Sequence, residues 1–293
     1  ADNEGYDMNG ALVFPGLINS HEHLEFNNYP CPGKPPYRDY IEWGTDLHNN
    51  YGDIISKVES IPLDLRLKWG VYRNLLQGFT SVVHHGFIPH SLLQGLNERL
   101  ISIHTNAQHL HSPAFEKFWR LKLNNPFTLK LPVVMHIGEG VSEKVIRENE
   151  LVPTWNFLKR KLIAVHGVQM SKEEAGKYLA LVWCPSTNRF MFGKTARTGE
   201  LKQYTHILFG SDSTLTGDWN IWSQLREALT LGELNRHELL DALTVTAAKV
   251  WQLKNRGSIE TGVRADLVIR KAGEDIFSTR PEQILLVMHR GNI

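Results

Sequence analysis

The chain holds only two cysteines in 293 residues, Cys31 and Cys184. No disulfide framework can staple it, and a reducing, cytoplasmic setting is the expectation. No run approaches the roughly eighteen apolar residues of a membrane-spanning helix. No secretory signal pattern opens the sequence, so no leader is expected. Neither sign of charge dominates: 32 Lys and Arg stand against 31 Asp and Glu, a formal net charge of +1. That balance predicts no nucleic-acid partner and no polybasic membrane patch. What remains is an ordinary globular composition, 42% hydrophobic and 22% charged. The length allows one large domain or two small ones.

Fourteen histidines are the unusual presence. The run FPGLINSHEHL, from Phe14 to Leu24, ends its apolar stretch in His21 and His23. In a strand, residues i and i+2 point to the same side. Two imidazoles are thus delivered to one point at a strand end, an arrangement suited to a divalent metal.

Short apolar runs alternate with helix-like stretches along the chain. Strands are predicted at 12–19, 80–84, 100–104, 132–137, 162–166, 181–184 and 207–210, with helices among them at 64–77, 172–179 and 221–231. The class is α/β, and polar residues at the strands' C-terminal ends favour a (β/α)8 TIM-type barrel. The tail differs: 265–270 and 284–288 read as strands with little helix between. The predicted division is a remnant of a small, incomplete β-sandwich domain at 1–15, a barrel at 16–256 and the rest of the β domain at 257–293. The stretch from His85 to Leu131 is short for two strands and about three helices, because a βα unit takes on the order of 30 residues. Either the barrel is trimmed there or segments are absent from the sequence, and the second is the expectation.

Further strand ends carry polar residues suited to chemistry. PVVMHIGE places His136 at a strand end with Glu139 three residues on. LIAVHG ends in His166, and ILFGSDS ends in Asp212. Each alone has a plain structural reading: a hydrogen-bonded core histidine, a solvated glutamate, a turn or helix-capping aspartate. Their occurrence together, in barrel order, outweighs those readings. Imidazoles and a carboxylate with a position left for water describe a catalytic metal site. The N/O donor set suits Zn²⁺, with Fe²⁺ as the alternative.

On PGLINSHEHL, HIGEG, AVHGVQMS, CPSTNRF, GSDS and the closing TVTAAKVWQLKNRGSIETGVRADLVI, the sequence resembles the amidohydrolase superfamily. The branch is that of cytosine deaminase, guanine deaminase, S-adenosylhomocysteine deaminase and the triazine chlorohydrolases. The resemblance implies that His21, His23, His136 and Asp212 bind one metal. It implies that Glu139 shuttles a proton and that His166 touches the bound water or substrate. Relatives with two metals add a bridging lysine, for which Lys122 and Lys130 are the nearby residues. The His136-x-x-Glu139 spacing favours one metal. Two departures stand out: the N-terminal β strands of the family are absent, and Gly140 follows Glu139 where relatives often carry a small polar residue.

The expected function is metal-dependent hydrolysis of a C–N bond, foremost deamination of a purine, pyrimidine, triazine or similar N-heterocycle. The alternatives are hydrolysis of a cyclic amide, displacement of chloride, or an inactive barrel serving as a binding subunit. The expected partner is a small-molecule substrate, with a homo-oligomer consistent with the branch. Candidate pocket residues are Glu25, Phe26, Asn27, Tyr29, Tyr40, Trp43 and one of His84 and His85. His104, His109 and His111 read as surface or substrate-loop residues, Asn188 as a helix cap or substrate contact, and Cys184 as a buried apolar residue.

Overall fold

The computed structural model describes residues 7–273 and 275–293. Strands β1 (Leu12–Pro15) and β2 (Leu17–Glu22) open the described chain. They are followed by β3 (Phe79–His84), β4 (Ser102–His104), β5 (Gln108–Leu110) and β6 (Val133–Ile137). Next come β7 (Leu162–His166), β8 (Ala180–Trp183) and β9 (His206–Phe209). Strands β10 (Leu267–Arg270) and β11 (Ile284–Met288) close the chain. The class is α/β, as expected, with one parallel sheet ordered β2-β3-β4 and another ordered β5-β6-β7-β8-β9.

Strands β6, β7 and β8 are near-continuous apolar runs, as suits strands covered on both faces. Strands β2, β3, β6, β7 and β8 are buried at every position. Their outward residues meet helix faces in one large core that includes Phe79, Trp183, Phe209 and Trp222. Their inward residues, among them Ile18, Val134, Val165 and Leu208, pack on one another. Four of the described α-helices begin where a polar side chain takes up free backbone N–H groups. Asp39 caps Tyr40–Asn50, and Asn235 with Glu238 forms a capping box at Arg236–Leu243.

The run 12–19 is two strands, not one. Gly16 N–H donates to Asp266 O at 2.8 Å and Leu17 N–H to Gly78 O at 3.0 Å, so the chain changes sheets there. Strand β1 joins β10 and β11 in an antiparallel sheet of three. The helix expected over 172–179 is a single capped turn, Lys172–Ala175.

The stretch from 85 to 131 is compressed in a specific way. After the helix His90–Arg99, β4 and β5 follow one another with only residues 105–107 between them, and no crossover helix intervenes. Strand β5 is absent from the sequence reading, since QHL carries no apolar run. The helix Trp119–Leu123 and the one-turn helix Pro126–Thr128 complete the stretch.

Candidate metal centre

The C-terminal ends of the parallel strands carry the histidines. His21 ends the inward face of β2, and its ring centroid lies 5.0 Å from that of His23 and 4.9 Å from that of His136. His23 Nε2 is 3.3 Å from His136 Nε2. Asp212, just past β9, places Oδ1 3.7 Å from His21 Nε2 and 3.8 Å from His23 Nε2. Its position is fixed by the backbone, since Asp212 N–H donates to His21 O and Asp212 O accepts from His23 N–H. The other carboxylate oxygen, Oδ2, accepts from Thr216 Oγ1 at 3.1 Å. Only Oδ1 is left to face the imidazoles.

His166 ends β7, its ring centroid 5.4 Å from that of His136. Its Nδ1 is 2.9 Å from Asn188 Oδ1, and the Asn188 amide nitrogen donates to Thr195 Oγ1. The amide orientation is therefore set, and Nδ1 carries the proton. That leaves Nε2 as a lone pair turned to Glu139 Oε1, 3.7 Å away. His166 and Asp212 both hold left-handed backbone, at φ 76° and 59°. Non-glycine residues adopt that region seldom, and such strain gathers at functional sites.

Burial dominates the electrostatics. It drives the pKa of His21 and His136 well below the usual histidine range, with neighbouring imidazoles adding to the effect. It brings His23 down to about 3. It pushes Glu139 well above the carboxylate range, helped by the negative charges of Asp212, Glu148 and Asp39. Burial raises Asp212 too. A bound divalent cation would reverse that shift.

These neutral imidazoles fit a metal better than they fit one another. Both His21 nitrogens, His136 Nδ1 and His166 Nε2 are buried without a hydrogen-bond partner. Buried polar atoms are seldom left so. The ligand atoms of His21, His23 and Asp212 lie within 4.8 Å of one another, as do those of His21, His136 and His166. A tetrahedron with metal–nitrogen bonds of 2.0–2.1 Å has edges of about 3.3 Å. The His23–His136 separation matches that edge.

No family model matches the sequence. The 5-methylthioadenosine/S-adenosylhomocysteine deaminase of Pyrococcus furiosus is 23% identical, over 90% of this chain and 75% of its own. An adenosine deaminase from Xanthomonas campestris with bound zinc superposes with a TM-score of 0.73 at 18% identity, over 97% of this chain and 80% of its own. Guanine deaminase from C. acetobutylicum, solved with guanine in its active site, gives 0.71 at 15% identity, over 99% and 88%. Atrazine chlorohydrolase from Arthrobacter aurescens, solved with zinc, gives 0.68 at 15% identity, over 97% and 83%. The chain resembles amidohydrolase-superfamily deaminases and triazine chlorohydrolases.

Within that amidohydrolase-like fold, other sequence candidates separate. Of the pair ending β3, His85 turns inward, its ring centroid 4.4 Å from that of His136. His84 turns to Glu25, with Nδ1 3.8 Å from Oε2. His109 Nδ1 meets His85 Nδ1 at 3.3 Å, so it belongs to the centre and not to the surface. His111 is exposed at the centre's mouth, its ring centroid 5.1 Å from that of His136. His104 packs against Trp251 instead. Phe26 stacks on His23, and Tyr29 meets Phe26 edge-on. Tyr40 donates to Glu148 at 2.8 Å, and Trp43 packs beside Tyr40 and Tyr29. Lys122 and Lys130 are exposed, and Lys122 pairs with Glu116. Cys184 is a buried core residue, its thiol pKa pushed well up by burial. Gly140 has a steric reason: a Cβ there would lie 2.6 Å from Arg38 O, in a backbone with φ +147°.

Sequence reasoning missed the support beneath the histidines. Glu22 points away from its flanking His21 and His23 into a buried polar nest. Its carboxylate accepts from Asn19, Asn27, Asn74 and Ser211 at 2.6–3.2 Å, and from the Arg73 guanidinium. The alternation of a strand guarantees that direction. Arg73 carries no sequence signal, because it sits inside an amphipathic helix where a solvated arginine is the ordinary reading.

Proposed function

We propose that the protein is a metal-dependent hydrolase acting on a C–N bond, and that it deaminates an N-heterocycle. The observation that carries the reading is the convergence of buried, unpartnered imidazoles on one carboxylate oxygen at the strands' C-terminal ends. We assign His21, His23, His136 and Asp212 as holding one divalent metal, Zn²⁺ by its N/O donors, with Fe²⁺ the alternative. When bound, such an ion supplies Lewis acidity and lowers the pKa of water from 15.7 to about 7.

The chain's own residues account for the proton movements. Asp212 Oδ1 faces the imidazoles, while Thr216 occupies Oδ2. Oδ1 is therefore the atom placed to take a proton from an attacking water. Burial and three neighbouring carboxylates disfavour the charge on Glu139 and so favour its protonated form. It is the acid that delivers a proton to the departing nitrogen, which leaves as ammonia when the C–N bond breaks. His166 Nε2, with Nδ1 pinned by Asn188, orients the reacting groups beside Glu139. His85 and His109 form the adjoining wall.

Two structural readings accompany this one. We take the parallel sheets as the wall of a single (β/α)8-type barrel. In support, Glu22 and Asp212 form a parallel bridge between the ends of β2 and β9. We also read β1, β10 and β11, within 1–15 and 257–293, as a small β unit beside a hydrolase unit at 16–256. Of that unit, residues 1–6 and 274 lie outside the described residues.

The test is ammonia release from zinc-loaded protein across adenosine, methylthioadenosine, S-adenosylhomocysteine, guanine, cytosine and aminotriazines. Ammonia from one of these supports deamination. Silence across them, with chloride released from a chlorotriazine or a cyclic amide opened, moves the assignment to those reactions. Silence in every assay from metal-loaded protein favours a binding subunit.

A further inference from the structure

The loops at the N-terminal ends of β6 and β7 form a face at the strand ends opposite the metal centre. They are held as one body by Arg160, a buried guanidinium that donates to Lys122 O, Leu123 O, Thr128 O and Leu131 O. Asn124 adds two bonds, donating to Trp155 O and accepting from Leu158 N–H. On this rigid base stand large apolar side chains turned to water. Phe127 is 95% exposed, Leu121 72% and Phe157 67%, with Leu129, Trp155 and Leu158 also exposed. A group of this kind on one surface marks an interaction site.

The charged residues of the two segments themselves are of one sign. Residues 117–130 and 151–161 contain no Asp or Glu, although their surroundings include Glu116, which pairs with Lys122. Lys122, Lys130, Lys159 and Lys161 are exposed among the apolar tips, next in sequence to Leu121, Leu129 and Leu158. Arg120 lies over the Trp155 ring at 4.7 Å. The near-neutral total charge conceals this clustering.

We propose that this face docks the protein onto an anionic lipid bilayer. Protein interfaces deplete lysine from their buried centre and seat apolar anchors in pockets. Here lysines interleave with the apolar residues, and Phe127 projects from a one-turn helix without a wall around it. Aromatic and leucine tips that enter the headgroup boundary, among lysines that meet anionic headgroups, are the signature of interfacial binding. A second copy of the chain is the poorer occupant, because a twofold contact through this face sets cation against cation. Leucine tips are of no use for stacking bases. Among the described residues no helix is long and apolar enough to cross a membrane, so the contact is peripheral.

The test is flotation of the full chain with phosphatidylcholine vesicles, with and without about 30 mole per cent phosphatidylserine. The expected result is binding to the anionic vesicles at least about tenfold tighter than to the neutral ones, lost at high salt. The double variants Phe127→Ser with Phe157→Ser, and Lys130→Glu with Lys159→Glu, are each expected to weaken binding at least about tenfold. Their thermal transitions and metal content should match the parent, since all four residues are exposed. Absence of vesicle binding overturns the proposal. So does binding that neither double variant reduces. A concentration-dependent dimer abolished by the Phe variants, with vesicles silent, assigns the face to a second copy. Capture of an acidic amphipathic peptide with vesicles silent assigns it to a protein.

Discussion

Glu22 and Arg73 form an ion pair with no solvent access to either side chain, Nη1 to Oε2 at 3.2 Å. The pair lies directly under the two histidines that open the metal centre. Glu22 also receives Ser211 Oγ at 2.6 Å, one residue before Asp212. One carboxylate thus ties the end of β2, where His21 and His23 lie, to the segment past β9 that carries Asp212. The helix Leu63–Leu75 delivers Arg73 by packing closely, for a Cβ on Gly70 would lie 2.2 Å from Leu24 O.

Removing one partner strands the other as a buried charge. Arg73→Met is expected to cost about 3–5 kcal/mol of unfolding free energy. Pairing it with Glu22→Gln should restore a large share. Urea unfolding of the two single variants and the double variant measures both, and additive losses would contradict the coupling. The bonds from Glu22 also orient the histidine strand, so Glu22→Gln alone should weaken metal binding by roughly 10–100-fold.

Glu139 is assigned to proton transfer and not to metal binding. Glu139→Gln should keep the parent's metal content and lose about 10²–10⁴-fold in kcat on whichever substrate the ammonia screen identifies. Near-normal turnover in this variant would remove Glu139 from the mechanism.

Asn188 fixes the proton of His166 on Nδ1. Asn188→Ala should lower kcat by about 10–100-fold, with the metal retained. The Asn188 bond favours the charged imidazole against burial, so its loss should move the acid limb of the kcat–pH profile downward. An unchanged profile would show that Asn188 serves packing alone.

The buried histidines set the acid stability of the metal-free protein. His23 and His109 are brought to about 3, and His84 and His104 to about 4, in each case first by burial. The unfolded chain takes up protons near pH 6.5 and the folded chain does not. The stability these groups contribute is complete above pH 6.5 and is lost as pH falls from there toward 4 and 3. Glu25 and Glu148, each raised to about 7 by burial, act oppositely and lose stability as pH rises from 4.5 to about 7. The depressed histidines outnumber the raised carboxylates at the centre, so the net effect is loss on acidification. Thermal melts of metal-free protein should show Tm falling between pH 7 and pH 5. A rising Tm over that range would contradict the balance.

The strand ends were legible in the sequence because chemistry and periodicity coincide there. LIAVH is an apolar run that stops at a histidine, and the strand spans those five residues. Strand β5 was not legible, since Gln108-His109-Leu110 has neither length nor alternation, and its pairing to β6 decides it. For that reason His109 read as a surface or substrate-loop residue. Arg73 was hidden for a different reason: its partner is 51 positions away, and helical periodicity says nothing of what lies beneath a helix. The cationic apolar face was hidden by averaging, because its residues come from two segments that only the fold brings together.

The central claim is that His21, His23, His136 and Asp212 hold one metal ion. Metal content per chain, after zinc loading and removal of free ion, tests it most directly, for the parent beside the His21→Ala, His23→Ala double variant. The account predicts about one zinc per parent chain and nearly none in the folded double variant. A parent that binds no metal, or a double variant that binds as much as the parent, would contradict it.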